Sequence, residues 1–182
     1  MTELPRVSES YARTSAEIER LTNPRDKALL TLFRDHWWAE VENNVDLLVD
    51  LMPDDDAVYY FGGRGLVMPE PLELRGPVEI RNMFQTVVDL GVPIAGPFTN
   101  ERFAFADWGV CFEGTLAALY PGKFLPGVPG LDPEQKYFAQ WRITSTYPVD
   151  LARRVMLGGN VYIGSLVHIE PGDETTQEIL FS

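Results

Sequence analysis

Residues 24–51, PRDKALLTLFRDHWWAEVENNVDLLVDL, decide how this chain is read. Asn23 followed by Pro24 marks a helix start: a capping side chain stands ahead of a residue whose missing N–H costs nothing at the first helical position. From there the apolar residues recur at helical spacing. At about 100° per residue, Leu29, Phe33, Trp37, Leu47, Leu48 and Leu51 share one stripe. The pattern predicts one long helix, stopped by Pro53 and the run Asp54-Asp55-Asp56. Glu40 and Asn44 fall inside the stripe, and His36 sits at its edge, one turn ahead of Glu40. A carboxylate and an amide at core positions are costly unless they are paired or face a polar cavity.

Outward from that helix, residues 57–61, Ala-Val-Tyr-Tyr-Phe, are β-formers that run into Gly62-Gly63. Ala57, Tyr59 and Phe61 share one face of this strand, Val58 and Tyr60 the other. A short strand at 72–74 precedes Gly76-Pro77, where proline opens a helix through Ile80, Phe84, Val87 and Val88 towards Gly91. Three long segments follow, 102–119, 136–147 and 155–170, with the alternation and the aromatic and β-branched content of antiparallel strands. The Pro/Gly-rich stretch 120–133 reads as a long hairpin loop or flap. Upstream, 8–21 is a short amphipathic helix. The class is therefore α+β, a curved antiparallel sheet with helices packed across its concave face. The chain divides into a helical extension (1–23), one α+β domain (24–172) and a flexible tail (173–182).

With 182 residues, 45% hydrophobic and 12% aromatic, the chain can bury one sizeable core without disulfides. A net charge of −12 repels nucleic-acid backbones and anionic membrane surfaces, so neither is an expected partner. Cys111 is the single cysteine, which fits a reducing compartment and excludes a thiolate cluster from one chain. No apolar signal region opens the sequence and no stretch has membrane-spanning length, so the expected location is cytoplasmic. The two histidines make a metal site unexpected; His36, Glu40 and His168 would need a facial geometry that spacing does not supply. No glycine-rich phosphate loop follows a strand.

The order of elements, with His36-Trp-Trp-Ala-Glu40, Leu51-Met-Pro-Asp-Asp-Asp-Ala-Val-Tyr-Tyr-Phe61, Gly76-Pro-Val-Glu-Ile80 and Gly159-Asn-Val-Tyr-Ile163, resembles the nuclear transport factor 2-like superfamily of ketosteroid isomerases, scytalone dehydratase and polyketide cyclases. The resemblance spans residues 24–170. It implies a cone-shaped α+β barrel around one deep pocket, no cofactor, and a homodimer or homotrimer formed through the outer sheet face. It also implies a base or phenol on the first strand. Tyr60-Phe61 stand where an aspartate base is expected, so that carry-over fails and the helix is left to supply the base.

The candidate catalytic residues are His36, Glu40 and Tyr59. Either His36 moves the proton while Glu40 orients its ring, or Glu40 is itself the base, its charged form disfavoured among Leu and Trp side chains. A solvated helix face carrying a local ion pair accounts for the same residues. Tyr59 would donate a hydrogen bond to an oxygen gaining negative charge. Trp37, Asn44, Tyr60, Trp141 and Tyr162 are the candidate substrate-binding residues, the last two by stacking on a flat ring. Trp141 and Ile143 share a face against Gln140 and Arg142, and Tyr162 opposes Val161 and Ile163; which sets face inward is open.

The function expected from these parts is a lyase, either a dehydratase or a retro-aldol formaldehyde lyase, or an isomerase. It would act by acid–base catalysis on a hydrophobic aromatic or polycyclic hydroxy or carbonyl compound. The alternatives are a non-catalytic binding or assembly module, a polyketide-type cyclase, and an epoxide hydrolase for which Arg142 and Asp107 lack a third member. Few cationic side chains are available to a pocket, which argues against anionic or phosphorylated substrates.

Overall fold

The computed structural model describes residues 4–62, 70–125 and 127–182. Among the described residues, five helices and seven strands follow one another as α1 (Val7–Arg20), α2 (Pro24–Val41), α3 (Val45–Asp50), β1 (Val58–Gly62), β2 (Leu72–Arg75), α4 (Gly76–Asp89), β3 (Phe98–Ala106), β4 (Gly109–Pro121), β5 (Lys136–Asp150), β6 (Val155–Met156), β7 (Gly158–Pro171) and α5 (Glu174–Leu180). The strands form one curved, unclosed sheet in the order β2-β1-β7-β5-β4-β3, with the short β6 paired to β5. Every pairing is antiparallel except β1 with β7. That parallel pair closes the chain path, since the last strand returns beside the first. Register shifts between Thr99 and Arg102, and around Trp141, bend the long strands. A bent sheet has a concave side for helices to fill.

The core lies between that concave side and the helices. Leu29, Leu30, Phe33 and Trp37 of α2 are buried with Ile80 and Phe84 of α4 against Tyr59, Phe98, Phe112 and Tyr147 of the sheet. Outside α2, α1 packs with Tyr11 edge-on to Trp38 at 4.8 Å.

The predicted long helix is two helices. Asn43 takes a positive φ of 53° and Asn44 caps α3, its side chain accepting from the Leu47 N–H at 3.1 Å. Asparagine tolerates the left-handed conformation and competes for nearby backbone groups, so Glu42-Asn43-Asn44 breaks the helix without a proline. The stripe loses phase there, and Leu47 is half-exposed.

Two predicted strands also divide. Segment 102–119 is the β3–β4 hairpin, turning at Asp107-Trp108, and segment 155–170 breaks between β6 and β7. The second break falls at Gly158, which has φ +133° and lies so close to β1 that a Cβ would sit 1.9 Å from the Val58 carbonyl oxygen. Residues 173–182, expected as a flexible tail, instead contain α5, started by a capping box between Asp173 and Thr176. Leu180 anchors it in a small apolar cluster with Ala117, Leu119 and Phe138 on the convex side of the sheet. In the 120–133 stretch, a 3-10 turn (Gly122–Phe124) leads to the buried Leu125, so this part is packed against the sheet. No helix among the described residues is long and apolar enough to cross a membrane.

Candidate active site

Three side chains from two elements meet at the inner end of the core. The Tyr59 hydroxyl, from β1, donates to Glu40 Oε1 of α2 at 3.3 Å. His36 Nε2, one helical turn before Glu40, is 3.4 Å from that same oxygen and 3.4 Å from the Tyr59 oxygen. The ring is fully buried, and its Nδ1 has no hydrogen-bond partner among the described residues. A proton on Nδ1 would be a buried donor with nothing to accept it. The tautomer that fits carries its hydrogen on Nε2, towards Glu40 and Tyr59.

Tyr147, near the end of β5, packs its ring edge-on against His36 at 5.2 Å. Burial pushes the Tyr59 phenol well above its ordinary value, with Tyr147 and then the Glu40 carboxylate adding to the effect. Burial first, and Glu40 second, also raise Tyr120 and Tyr147; at Tyr147, hydrogen bonding with Tyr59 and Ser145 pulls the other way. These phenols therefore remain neutral hydrogen-bond donors at ordinary pH.

Glu40 and Tyr59 form one wall of a cavity of about 100 Å³. The rest is apolar. Phe33 and Trp37 come from α2, Phe84 and Val87 from α4, Phe98 from β3, Phe112 and Leu116 from β4, and Ile143, Val161 and Ile163 from the last long strands. The polar lining consists of Glu40, Ser145 and the tyrosines at 59, 120 and 147, so Glu40 is the one charged side chain among the described lining residues. Both protein contacts of its carboxylate fall on Oε1. Among the described residues nothing donates to Oε2.

Of the residues selected from sequence, Glu40, Tyr59 and Trp37 line this cavity, Trp37 with its indole N–H donated to the Gly96 carbonyl at 3.1 Å. His36 belongs to the cluster but lies behind the wall rather than in it. Asn44 is not in the site: its side chain is used as the α3 cap and it is exposed. Tyr60 points to the opposite face from Tyr59, where its ring meets the half-exposed ring of Tyr162 at 5.9 Å, so neither lines the cavity. Trp141 faces inward but is stacked edge-on behind Tyr120 at 5.9 Å, in a neighbouring cluster. Arg142 and Asp107 are exposed and offer no epoxide-opening arrangement in the cavity.

Sequence reasoning missed Tyr147, Ser145 and Tyr120. The signal for the first two was alternation itself. Counting on from Trp141 through Ile143 puts residues 145 and 147 on the same face, and the choice of that set as inward places both hydroxyls in the cavity. His168 lies on β7 beside Glu170, away from the cluster, and no group of three or more metal-ligating side chains is assembled among the described residues.

No family model and no curated protein sequence matches the chain. Solved structures do. A protein assigned as a SnoaL-like polyketide cyclase from Shewanella putrefaciens superposes with a TM-score of 0.63 at 16% identity, over 98% of this chain and 95% of that one. Rv0760c from Mycobacterium tuberculosis gives 0.54 at 17% identity, over 80% of this chain and 96% of its own. The hexachlorocyclohexane dehydrochlorinase LinA-type3 from Novosphingobium barchaimii gives 0.50 at 18% identity, over 81% and 90%. With these neighbours, the chain has the nuclear transport factor 2-like fold.

Proposed function

We propose that the chain is an acid–base enzyme of the lyase or isomerase type, with Glu40 as the base, acting on a hydrophobic ring compound that carries a carbonyl or hydroxyl group. One observation carries this reading. Glu40 lines a mostly apolar cavity, with Oε1 held by Tyr59 and His36 and Oε2 without a protein donor among the described residues. A carboxylate oriented through one oxygen and free at the other is arranged to take a proton. His36 acts in this scheme as a positioning residue, because it reaches Glu40 but not the cavity.

In the reaction envisaged, Oε2 removes a carbon-bound proton next to a carbonyl, and the electron pair moves onto the carbonyl oxygen. A neutral phenol, Tyr147, donates a hydrogen bond to that oxygen; its raised pKa suits it to hydrogen bonding rather than proton transfer. Glu40 then returns the proton, either to another carbon, which is isomerisation, or to a departing hydroxyl, which is dehydration. Cyclase and dehydrochlorinase are among the names carried by proteins of this fold. Ring closure by aldol addition and elimination can both begin with the same proton abstraction.

The test needs no knowledge of the final product. Hydrophobic aryl ketones are incubated with the protein in deuterium oxide, and exchange at the α-carbon is followed by NMR. The expected result is exchange catalysed by the wild type and lost in Glu40→Gln. Equal exchange in both, or none above buffer across the panel, refutes Glu40 as the base and leaves a binding module as the better reading.

A further inference from the structure

We infer that the cavity binds hydrophobic organic amines, with the ligand's ammonium seated on Glu40 Oε2 between aromatic walls. The inference rests on the reading of Glu40 as an acceptor lining the cavity, and it goes further by naming a ligand class. When a neutral apolar ligand fills the cavity it displaces water from Oε2 and returns at most one hydrogen bond, so the carboxylate is left poorly solvated. An ammonium replaces the lost water with a charge-assisted hydrogen bond.

The surroundings favour a cation in two further ways. Among the described lining residues there is no Lys or Arg to compete for the carboxylate. The cavity is also lined by the rings of Trp37, Tyr59, Tyr147 and Phe84, and an aromatic face attracts a cation set over it. The chain as a whole, at −12, adds a field of the same sign. An isosteric carboxylate ligand would meet repulsion at the same point.

Calorimetric titration of three probes of one shape, 4-phenylbutylamine, 4-phenylbutanol and 4-phenylbutyrate, against the whole protein at neutral pH separates the possibilities. The amine should bind at least about tenfold more tightly than the alcohol, and the carboxylate weakest. In Glu40→Gln the amine should fall to the alcohol's affinity. The alcohol should bind the variant as it binds the wild type, which also shows that the variant is folded. If amine and alcohol bind the wild type equally, or if Glu40→Gln leaves the amine's advantage intact, the ammonium site is overturned while the apolar cavity stands. If none of the three binds, both the inference and the reading of the cavity as a ligand site fail.

Discussion

Raising the pH above about 10 should unfold this protein through its buried phenols. Tyr59, Tyr120 and Tyr147 are buried, and burial is the first cause holding each above the ordinary tyrosine value. An acid whose folded pKa is raised keeps its proton when folded but loses it when unfolded, once the pH passes the unfolded value. Stability is therefore unaffected below about pH 10 and falls above it. Each such group costs about 1.4 kcal/mol per pH unit, so three acting together cost about 4 kcal/mol per unit. Set against a total stability of about 5–15 kcal/mol, that brings the fold down within about one to four units.

Urea unfolding followed by circular dichroism at about pH 9, 10 and 11, with phenolate absorbance read in parallel, measures both halves of the claim. Three of the seven tyrosines should ionise only as the fold is lost. Other groups titrate in this range, so a variant supplies the control. Tyr147→Phe should reduce the pH slope by about one third. Ionisation of all seven tyrosines with the circular dichroism intact would refute the reasoning.

Three substitutions test the architecture. Leu180→Ala should cost about 2–4 kcal/mol in urea unfolding, because the side chain is fully buried on the convex side of the sheet; a free tail would cost nothing. Gly158→Ala should abolish accumulation of folded protein, since the added Cβ has φ +133° and the Val58 carbonyl against it, and a normal melting temperature would show that β1 and β7 are not so tightly apposed. Asn44→Ala should lower stability by about 1 kcal/mol through loss of the α3 cap yet leave the affinity of cavity ligands unchanged, and a large affinity loss would return Asn44 to the site.

Much of the fold was legible because period and punctuation are local. Asn23-Pro24 starts α2, Gly76-Pro77 opens α4, and the alternation of 136–147 is β5. What was lost turned on single residues whose effect depends on the surroundings. Asn43 stops a helix only by entering a left-handed conformation that most sequence windows would not demand. Asp107-Trp108 turns a hairpin within an alternating run, so the pattern reads straight through it. The His36–Glu40 pair was visible because helical spacing sets it, and Tyr59 was visible because its strand has one inward face. Trp141 and Tyr162 were harder. An aromatic residue on a sheet is equally at home in a wall, a second cluster or an outer face, and only the whole sheet decides among these.

The last strand explains why the site can exist where it does. Tyr59 pairs in register with Gly159 across the parallel β1–β7 junction, and Gly159 sits under two rings at once. A Cβ there would lie 2.8 Å from the Tyr147 ring and 3.2 Å from the Tyr59 ring. Any side chain would push the phenols apart or lift them from Glu40. The Gly158-Gly159 pair therefore has two separable effects: the first glycine lets β7 turn in against β1, and the second makes room for the tyrosines that flank the carboxylate. Glu40 comes from a helix, but its setting is made by the strand pair opposite. A helix alone can place His36 beside Glu40 at one-turn spacing. The β1–β7 pairing brings Tyr59 up to Glu40 Oε1, at the wall of the cavity that Glu40 lines.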